Sequence, residues 1–362
     1  MFLRDSYCVT PVFKISQSAD AGKGSPVHRD VRLRICLTES TSTNYYSDMS
    51  QTIVVAIGGN SLIENPANKT IAAQYEACRK TAAHIVPLIL AGHRVVIVHG
   101  NGPQVGFILR RSELAKHELH MIPLDSCVAD TQGAIGYNIQ MALGNELAKC
   151  GSQKPAATVV TQVEVDPDDP SFDSPDKPIG SFMSQAEALE HQVKDGWSVR
   201  EDAGRGMRRV VPSPPPLRIL ELDVVRRLVE NDIVVITCGG GGIPVARNDE
   251  GQLRGVEAVI DKDRTASLLA QELKADLFII STAVPRVCIH FGKPEQEELR
   301  ELTTTRAREL QAEGQFAPGS MLPKIEAMVD YLEAGGGRGI ITDPSNLEDA
   351  VAGSAGTHML RS

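Results

Sequence analysis

Three lysines stand in surroundings suited to phosphate. Lys262 lies between two aspartates in Val259-Ile-Asp-Lys-Asp263, directly after an apolar run, whereas a surface lysine more often sits in a polar face. Lys324 closes Ala317-Pro-Gly-Ser-Met-Leu-Pro-Lys324, and Pro-Gly-Ser there is a helix N-terminal signal, so this lysine belongs to the first turns of a helix whose dipole also favours anions. Lys177 occurs in Asp176-Lys-Pro-Ile-Gly180. A phosphoryl group in flight asks for charge neutralisation and alignment, without a covalent nucleophile. Separated ammonium groups supply the first; backbone N–H groups freed of side chains supply the second.

Candidates for the second are Gly58-Gly59-Asn60-Ser61, His99-Gly100-Asn101-Gly102-Pro103 and Cys238-Gly239-Gly240-Gly241-Gly242-Ile243-Pro244, with Ser281-Thr282-Ala283 as a small polar fourth. One glycine pair also makes an ordinary tight turn. Three such loops behind three strands of one sheet form an anion cradle. Neither Gly-x-x-x-x-Gly-Lys-Ser/Thr nor Gly-x-Gly-x-x-Gly occurs; the nearest stretch, Gly100-Asn-Gly-Pro-Gln-Val-Gly106, has one residue too many. The pattern therefore excludes a P-loop and a dinucleotide fingerprint, and the cations must come from elsewhere in the chain.

The elements that position these residues alternate. Short β-branched runs, Thr52 to Ile57, Arg94 to Val98, Ala157 to Val163, Ile233 to Thr237, Leu277 to Ser281 and Gly339 to Thr342, predict strands. Between them Thr70 to Leu90, Pro103 to Glu118, Val128 to Lys149, Leu220 to Asn231, Asp263 to Leu273 and Pro323 to Glu333 predict helices. Strand, crossover helix, strand specifies an α/β fold: an open, mostly parallel sheet sandwiched by helices, with ligands beyond the carboxyl ends of its strands. Residues 166–216, bounded by Asp-Pro-Asp-Asp-Pro and Pro-Ser-Pro-Pro-Pro, break the rhythm and predict an inserted lid subdomain carrying Lys177, with one clear helix, Ser184 to Lys194, capped by Ser184 and Glu187. Residues 1–48 lack helical period and predict a poorly ordered extension before a domain over 49–362; acidic and basic residues are nearly balanced in it, which does not suit a transit peptide.

Among 362 residues, 46 acidic against 37 basic residues give a net charge of −9, and with no basic run this argues against a nucleic-acid surface. No apolar run approaches the roughly 20 residues a membrane helix needs. Seven cysteines without paired spacing fit a reducing cytoplasm rather than a disulfide framework or zinc site. The spacing of His117 and His120, without further ligands, predicts a solvated face, and no protein-held metal is expected. Val128, Thr131, Ile135, Ile139, Ala142 and Leu143 share one helical face, which predicts core or a subunit contact. Cys238 leaves two readings open: a small buried hydrophobe, or a thiol near the site that neighbouring lysines turn toward thiolate.

Ile57-Gly-Gly-Asn-Ser-Leu62, Val98-His-Gly-Asn-Gly-Pro-Gln-Val-Gly106, the block Pro123 to Tyr137, Lys177-Pro-Ile-Gly180, Gly239-Gly-Gly-Gly-Ile-Pro244, Asp261-Lys-Asp263, Phe291-Gly-Lys-Pro294 and Pro318-Gly-Ser-Met-Leu-Pro-Lys324 together resemble the carbamate kinases of the amino-acid-kinase superfamily. The likeness runs in order from about residue 51 to Gly356-Thr-His358, and the Pro123 to Tyr137 block is its most specific part. It implies reversible phosphoryl transfer between ATP and carbamate, often run from carbamoyl phosphate and ADP in arginine catabolism, by a cytoplasmic homodimer using magnesium-bound nucleotide. By resemblance, Gly58, Gly59 and Asn60 hold the transferring phosphate with Gly240 and Gly241, and Gly100, Asn101 and Gly102 the carbamate side. Lys262 and Lys324 flank the phosphoryl group, Asp263 orients them, and Lys177 closes on carbamoyl phosphate. Ala283, Val284, Gly319, Ser320 and Met321 fall to the nucleotide; Pro285-Arg286 departs from the family's usual acidic or lysine residues. The rivals are an acetylglutamate or glutamate kinase of the same fold, disfavoured by the long lid, and a non-catalytic nucleotide or metabolite sensor, disfavoured by the intact lysine set.

Overall fold

All six residues of Thr52–Ile57 are buried, as an apolar strand must be when helices cover both faces of its sheet. The computed structural model describes residues 50–58, 70–202 and 206–362; the expected extension over 1–48, and Gly59 and Asn60, lie outside them. Along the chain come β1 (Thr52–Ile57), α1 (Ile71–Leu90), β2 (Arg94–His99), α2 (Gln104–Leu114), α3 (Leu124–Lys149), β3 (Ala156–Thr158) and β4 (Gln162–Glu164). Then follow β5 (Lys177–Met183), α4 (Gln185–Asp195), β6 (Ser198–Glu201), β7 (Met207–Val211), β8 (Arg218–Ile219), α5 (Leu222–Glu230), β9 (Val234–Ile236), β10 (Ile243–Arg247), β11 (Leu253–Gly255), α6 (Lys262–Glu272) and β12 (Leu277–Ser281). The last part holds β13 (Val287–Ile289), β14 (Glu297–Leu299), β15 (Glu301–Thr303), α7 (Thr304–Ala312), α8 (Leu322–Glu333), β16 (Arg338–Thr342), α9 (Leu347–Val351) and β17 (Thr357–Leu360).

The main sheet runs β15-β17-β16-β12-β1-β2-β9-β3, parallel throughout except between β16 and β17. Period-two alternation sorts its side chains. Ile53, Val55 and Ile57 join one core with Ile85 and Ile89 of α1 and Ile139 and Leu143 of α3. Val54 and Ala56 join the opposite core with Leu269 of α6 and Ile325 and Leu332 of α8. Register then aligns the strand ends: Ile57 stands beside His99 and Ser281, and Ser281 beside Thr342. The carboxyl ends of β1, β2, β9 and β12 therefore lie along one side of the sheet.

Two expectations are corrected. The run Ala157 to Val163 is two strands, because the chain leaves the main sheet after β3 and enters a second sheet, β11-β10-β4-β8, at β4. Side-chain bonds replace the ladder at the crossing: Thr161 N–H donates to Gln132 Oε1 at 2.7 Å, and the Thr161 hydroxyl accepts from Cys238 N–H at 3.0 Å. Secondly, the segment 166–216, in which only one helix is clear from the sequence, also folds a three-stranded antiparallel sheet, β5-β7-β6. Its helix α4 has the expected reciprocal cap between Ser184 and Glu187.

Candidate active site

A cavity of about 270 Å³ lies at the strand-end edge, between the loop after β2, the glycine turn after β9, the first turns of α6 and α8, and the edge of β5. Lys177, Lys262 and Lys324 all line it, with Asp261 and Asp263 between them. Asp263, only 3% exposed, accepts from Lys262 Nζ on one carboxylate oxygen (2.5 Å) and from Lys324 Nζ on the other (2.9 Å). One buried carboxylate thus aims two ammonium groups, that of its neighbour on α6 and that of Lys324 on α8, 61 residues further along the chain. Asp261 caps α6, taking the N–H groups of Asp263 (2.9 Å) and Arg264 (3.3 Å) on one oxygen, while its other oxygen receives Lys177 Nζ at 3.2 Å.

The electrostatics follow from burial and pairing. Burial pushes the Lys262 ammonium below the usual lysine range, the nearby Asp263 charge opposes that, and Lys324 adds to it. Burial also acts to raise the Asp261 carboxyl, but the charges of Lys177 and Lys262 and the bond from Arg264 outweigh it and hold it well below the carboxylate range. The first turns of α6 and α8 bring their positive dipole ends to the same cavity. Nothing here resembles a nucleophile with its base; the arrangement can hold and neutralise a multiply charged anion.

The glycine turn is held from below by a residue that sequence reasoning passed over. Gln132 of α3 donates to Thr161 C=O (3.1 Å) and Gly239 C=O (3.0 Å), locking the turn to the β3–β4 crossing. Asn101 Nδ2 donates to Thr131 Oγ1 at 3.3 Å. The signal was present: Thr131 and Gln132 are polar residues inside the apolar stripe of Val128, Ile135 and Ile139, all buried. Gly240 sits at φ 68°, where a Cβ would run into the Asn101 side chain, so glycine is required for the turn to lie against that loop. His99, fully buried beneath Gly239 and with Nδ1 2.9 Å from Gly100 C=O, has its pKa lowered to about 4 by burial and is neutral.

The remaining expected positions divide. Gly100, Asn101, Gly102, Gly240 and Gly319 line the cavity. The Gly100 N–H is already donated to Ile57 C=O (3.1 Å), and the Gly241 N–H to Cys238 C=O (3.0 Å), so both amides hold the loops together instead of facing an anion. Gly58 follows β1, where an added Cβ would stand 3.3 Å from Ser281 C=O. Ala283 and Val284 follow β12 and, like Ser320 and Met321, stay outside the lysine cavity, Met321 packing instead on the core behind α8. Cys238 requires correction: it is fully buried in the core, and burial pushes its thiol up to about 12. The lysine cluster does not reach it, so the hydrophobe reading stands and the thiolate reading falls. Arg208 of β7, in a charged stretch that gave no sign of it, lines the cavity as a fourth cation.

Comparison with known proteins agrees with this geometry. The profile of the amino acid kinase family matches residues 51–343. The carbamate kinase-like protein YahI of Escherichia coli is 50% identical over 316 residues, 86% of this chain and all of that protein. Carbamate kinase 1 of Enterococcus faecium is 48% identical over 301 residues, 83% of this chain and 95% of that protein. Among solved structures, carbamate kinase from Giardia lamblia bound to AMP-PNP superposes with a TM-score of 0.81 at 38% identity, covering 86% of this chain and 99% of that one. The same Giardia enzyme has been solved thiocarbamoylated by disulfiram on a cysteine.

Proposed function

The chain belongs to the amino acid kinase family, and from that premise we propose that it transfers a phosphoryl group reversibly between ATP and carbamate. It is a phosphotransferase with a carboxyl-type acceptor, and the observation that carries the reading is Lys262 and Lys324 sharing the buried carboxylate of Asp263 on the cavity wall.

Each part has a task. Lys262 and Lys324 offset the charge that spreads over the equatorial oxygens in the transition state, and Asp263 holds both ammonium groups in place beforehand, so no reorganisation is needed when the charge develops. Lys177, from the lid sheet, grips the acceptor end and leaves Asp261 to do so. Gly240 and Asn101 bring backbone close to the transferring group. Magnesium would be held by the nucleotide's phosphates, since the carboxylates on the cavity, Asp261 and Asp263, are both taken up by lysines. The metal's chemistry is to neutralise β- and γ-phosphate charge. Nucleotide lies toward Ala283, Val284 and the Gly319 to Met321 segment. The resemblance extends the reading to a cytoplasmic homodimer working in arginine catabolism.

The test is a coupled assay of ATP formation from ADP and carbamoyl phosphate with acetyl phosphate as control. Carbamoyl phosphate should be strongly preferred; no ATP from either donor would refute the enzymatic reading, and a preference for acetyl phosphate would refute the acceptor.

A further inference from the structure

Gly106 ends the glycine motif after β2 and stands in the first turn of α2, outside the lining of the lysine cavity. It is not at a positive φ, so the backbone does not call for glycine there, and within a helix alanine is the better residue. A close approach does call for it. A Cβ at position 106 would lie 2.6 Å from the Cα and 2.8 Å from the N of Gly180 on β5, where ordinary contact between carbons needs about 3.5–4.0 Å. Both partners are backbone, so no side chain is there to swing aside.

The contact falls where β5 changes character. Lys177, Pro178 and Ile179 pair in register with Val211, Val210 and Arg209 of β7, and the register is lost after Ile179, at Gly180 with φ 69°. Ile179 shares one apolar core with Val105 and Leu109 of α2. The same strand begins at Lys177, whose ammonium lines the cavity and meets Asp261 at 3.2 Å. One end of β5 is therefore docked on α2 and the other carries a cation of the site, about 10 Å away at the rise of a strand. Resting on the phosphoryl-transfer reading above, we infer that Gly106 is a positioning residue: by having no side chain it lets β5 seat on α2, and that seat brings Lys177 to the acceptor end of the cavity. A methyl group at position 106 would lift β5 by roughly 1 Å, a misplacement large enough to deprive a catalytic arrangement of much of its effect.

A double-mutant cycle with Lys177 tests this, read as KM values in ATP formation from ADP and carbamoyl phosphate. Gly106→Ala should raise the KM for carbamoyl phosphate about ten- to a hundredfold, the worth of one charge-assisted contact, with the KM for ADP within about twofold of wild type. Added to Lys177→Ala, the same substitution should raise it by less than about threefold, because the group it displaces is already gone. A full second loss in that background would overturn action through Lys177, and a wild-type KM in Gly106→Ala would overturn the seat. Equal losses for ADP and carbamoyl phosphate would assign Gly106 to the fold alone. Leu109→Ala thins the same dock without a collision, from outside the cavity lining, and should raise the KM for carbamoyl phosphate selectively. If alanine at position 106 prevents folding, wild-type KM values in Leu109→Ala would overturn the inference. Wild-type protein that forms no ATP from ADP and carbamoyl phosphate would instead refute the proposed function, and with it the task given to Gly106.

Discussion

Replacing Asp263 by Asn removes one charge and leaves two ammonium groups facing each other. Asp263 is 3% exposed and bonds Lys262 at 2.5 Å and Lys324 at 2.9 Å, and each charge-assisted bond of this kind contributes roughly 1.5–3 kcal/mol. Burial already holds Lys262 below its ordinary pKa with Asp263 as the opposing influence. Losing that support lowers it further. The charged lysine is the working form, so turnover is lost as pH rises through its pKa. In Asp263→Asn the alkaline limb of kcat should therefore move to lower pH, on top of a plateau reduced about ten- to a hundredfold, the factor that one lost charge-assisted bond supports. The stability sign is consistent: between the depressed folded pKa and the ordinary lysine value the unfolded chain binds the extra proton, so the variant should regain stability with rising pH. The assay is kcat for ATP formation from saturating ADP and carbamoyl phosphate across roughly pH 6 to 10, where a depressed lysine titrates, with thermal unfolding alongside. An unmoved alkaline limb would refute the claim that Asp263 keeps Lys262 charged.

Two further outcomes test the surrounding parts. Lys177→Ala should raise the KM for carbamoyl phosphate with the KM for ADP little changed, because Lys177 reaches the cavity from the edge of β5; equal losses for both would point to a folding role. Gln132→Ala should cost roughly 1–3 kcal/mol in urea unfolding, since it orphans the buried N–H of Thr161, while the C=O groups of Thr161 and Gly239 lose one donor each and keep the N–H groups of Ile243 and Gly242; a loss below about 0.5 kcal/mol would mean the glycine turn does not depend on it.

The central strands were legible because β1, β2 and β12 are continuous apolar runs buried on both faces, where pattern and environment agree. The division between β3 and β4 was not, since the alternating pattern continues through Val159 to Thr161 while the chain changes sheets, and the bonds that turn it come from Gln132 and Thr237, distant in sequence. The lid strands were hidden for a related reason: β5 carries Pro178 and Gly180 at φ 69° and loses register between Ile179 and Met183, so no alternation survives to be counted. At the site, Lys262 and Lys324 were each legible as candidate cations from their surroundings, but Lys324 reaches Asp263 only through the packing of α6 against α8, and that pairing came from family resemblance. Cys238 shows the limit most sharply. A thiol at a strand end before four glycines faces either crevice or core, and only packing decides.

The claim at the centre is that Lys262 and Lys324 act on one phosphoryl group from the two oxygens of Asp263, and the direct measurement is turnover of Lys262→Ala and Lys324→Ala at saturating ADP and carbamoyl phosphate. Removing one preorganised charge from a water-poor site typically costs about 10² to 10³ in rate. Each variant should therefore fall by that factor while circular dichroism and the KM for ADP stay near wild type. Either variant retaining more than about a tenth of wild-type turnover, against that expected 10² to 10³ loss, would contradict the account and remove that lysine from the chemistry.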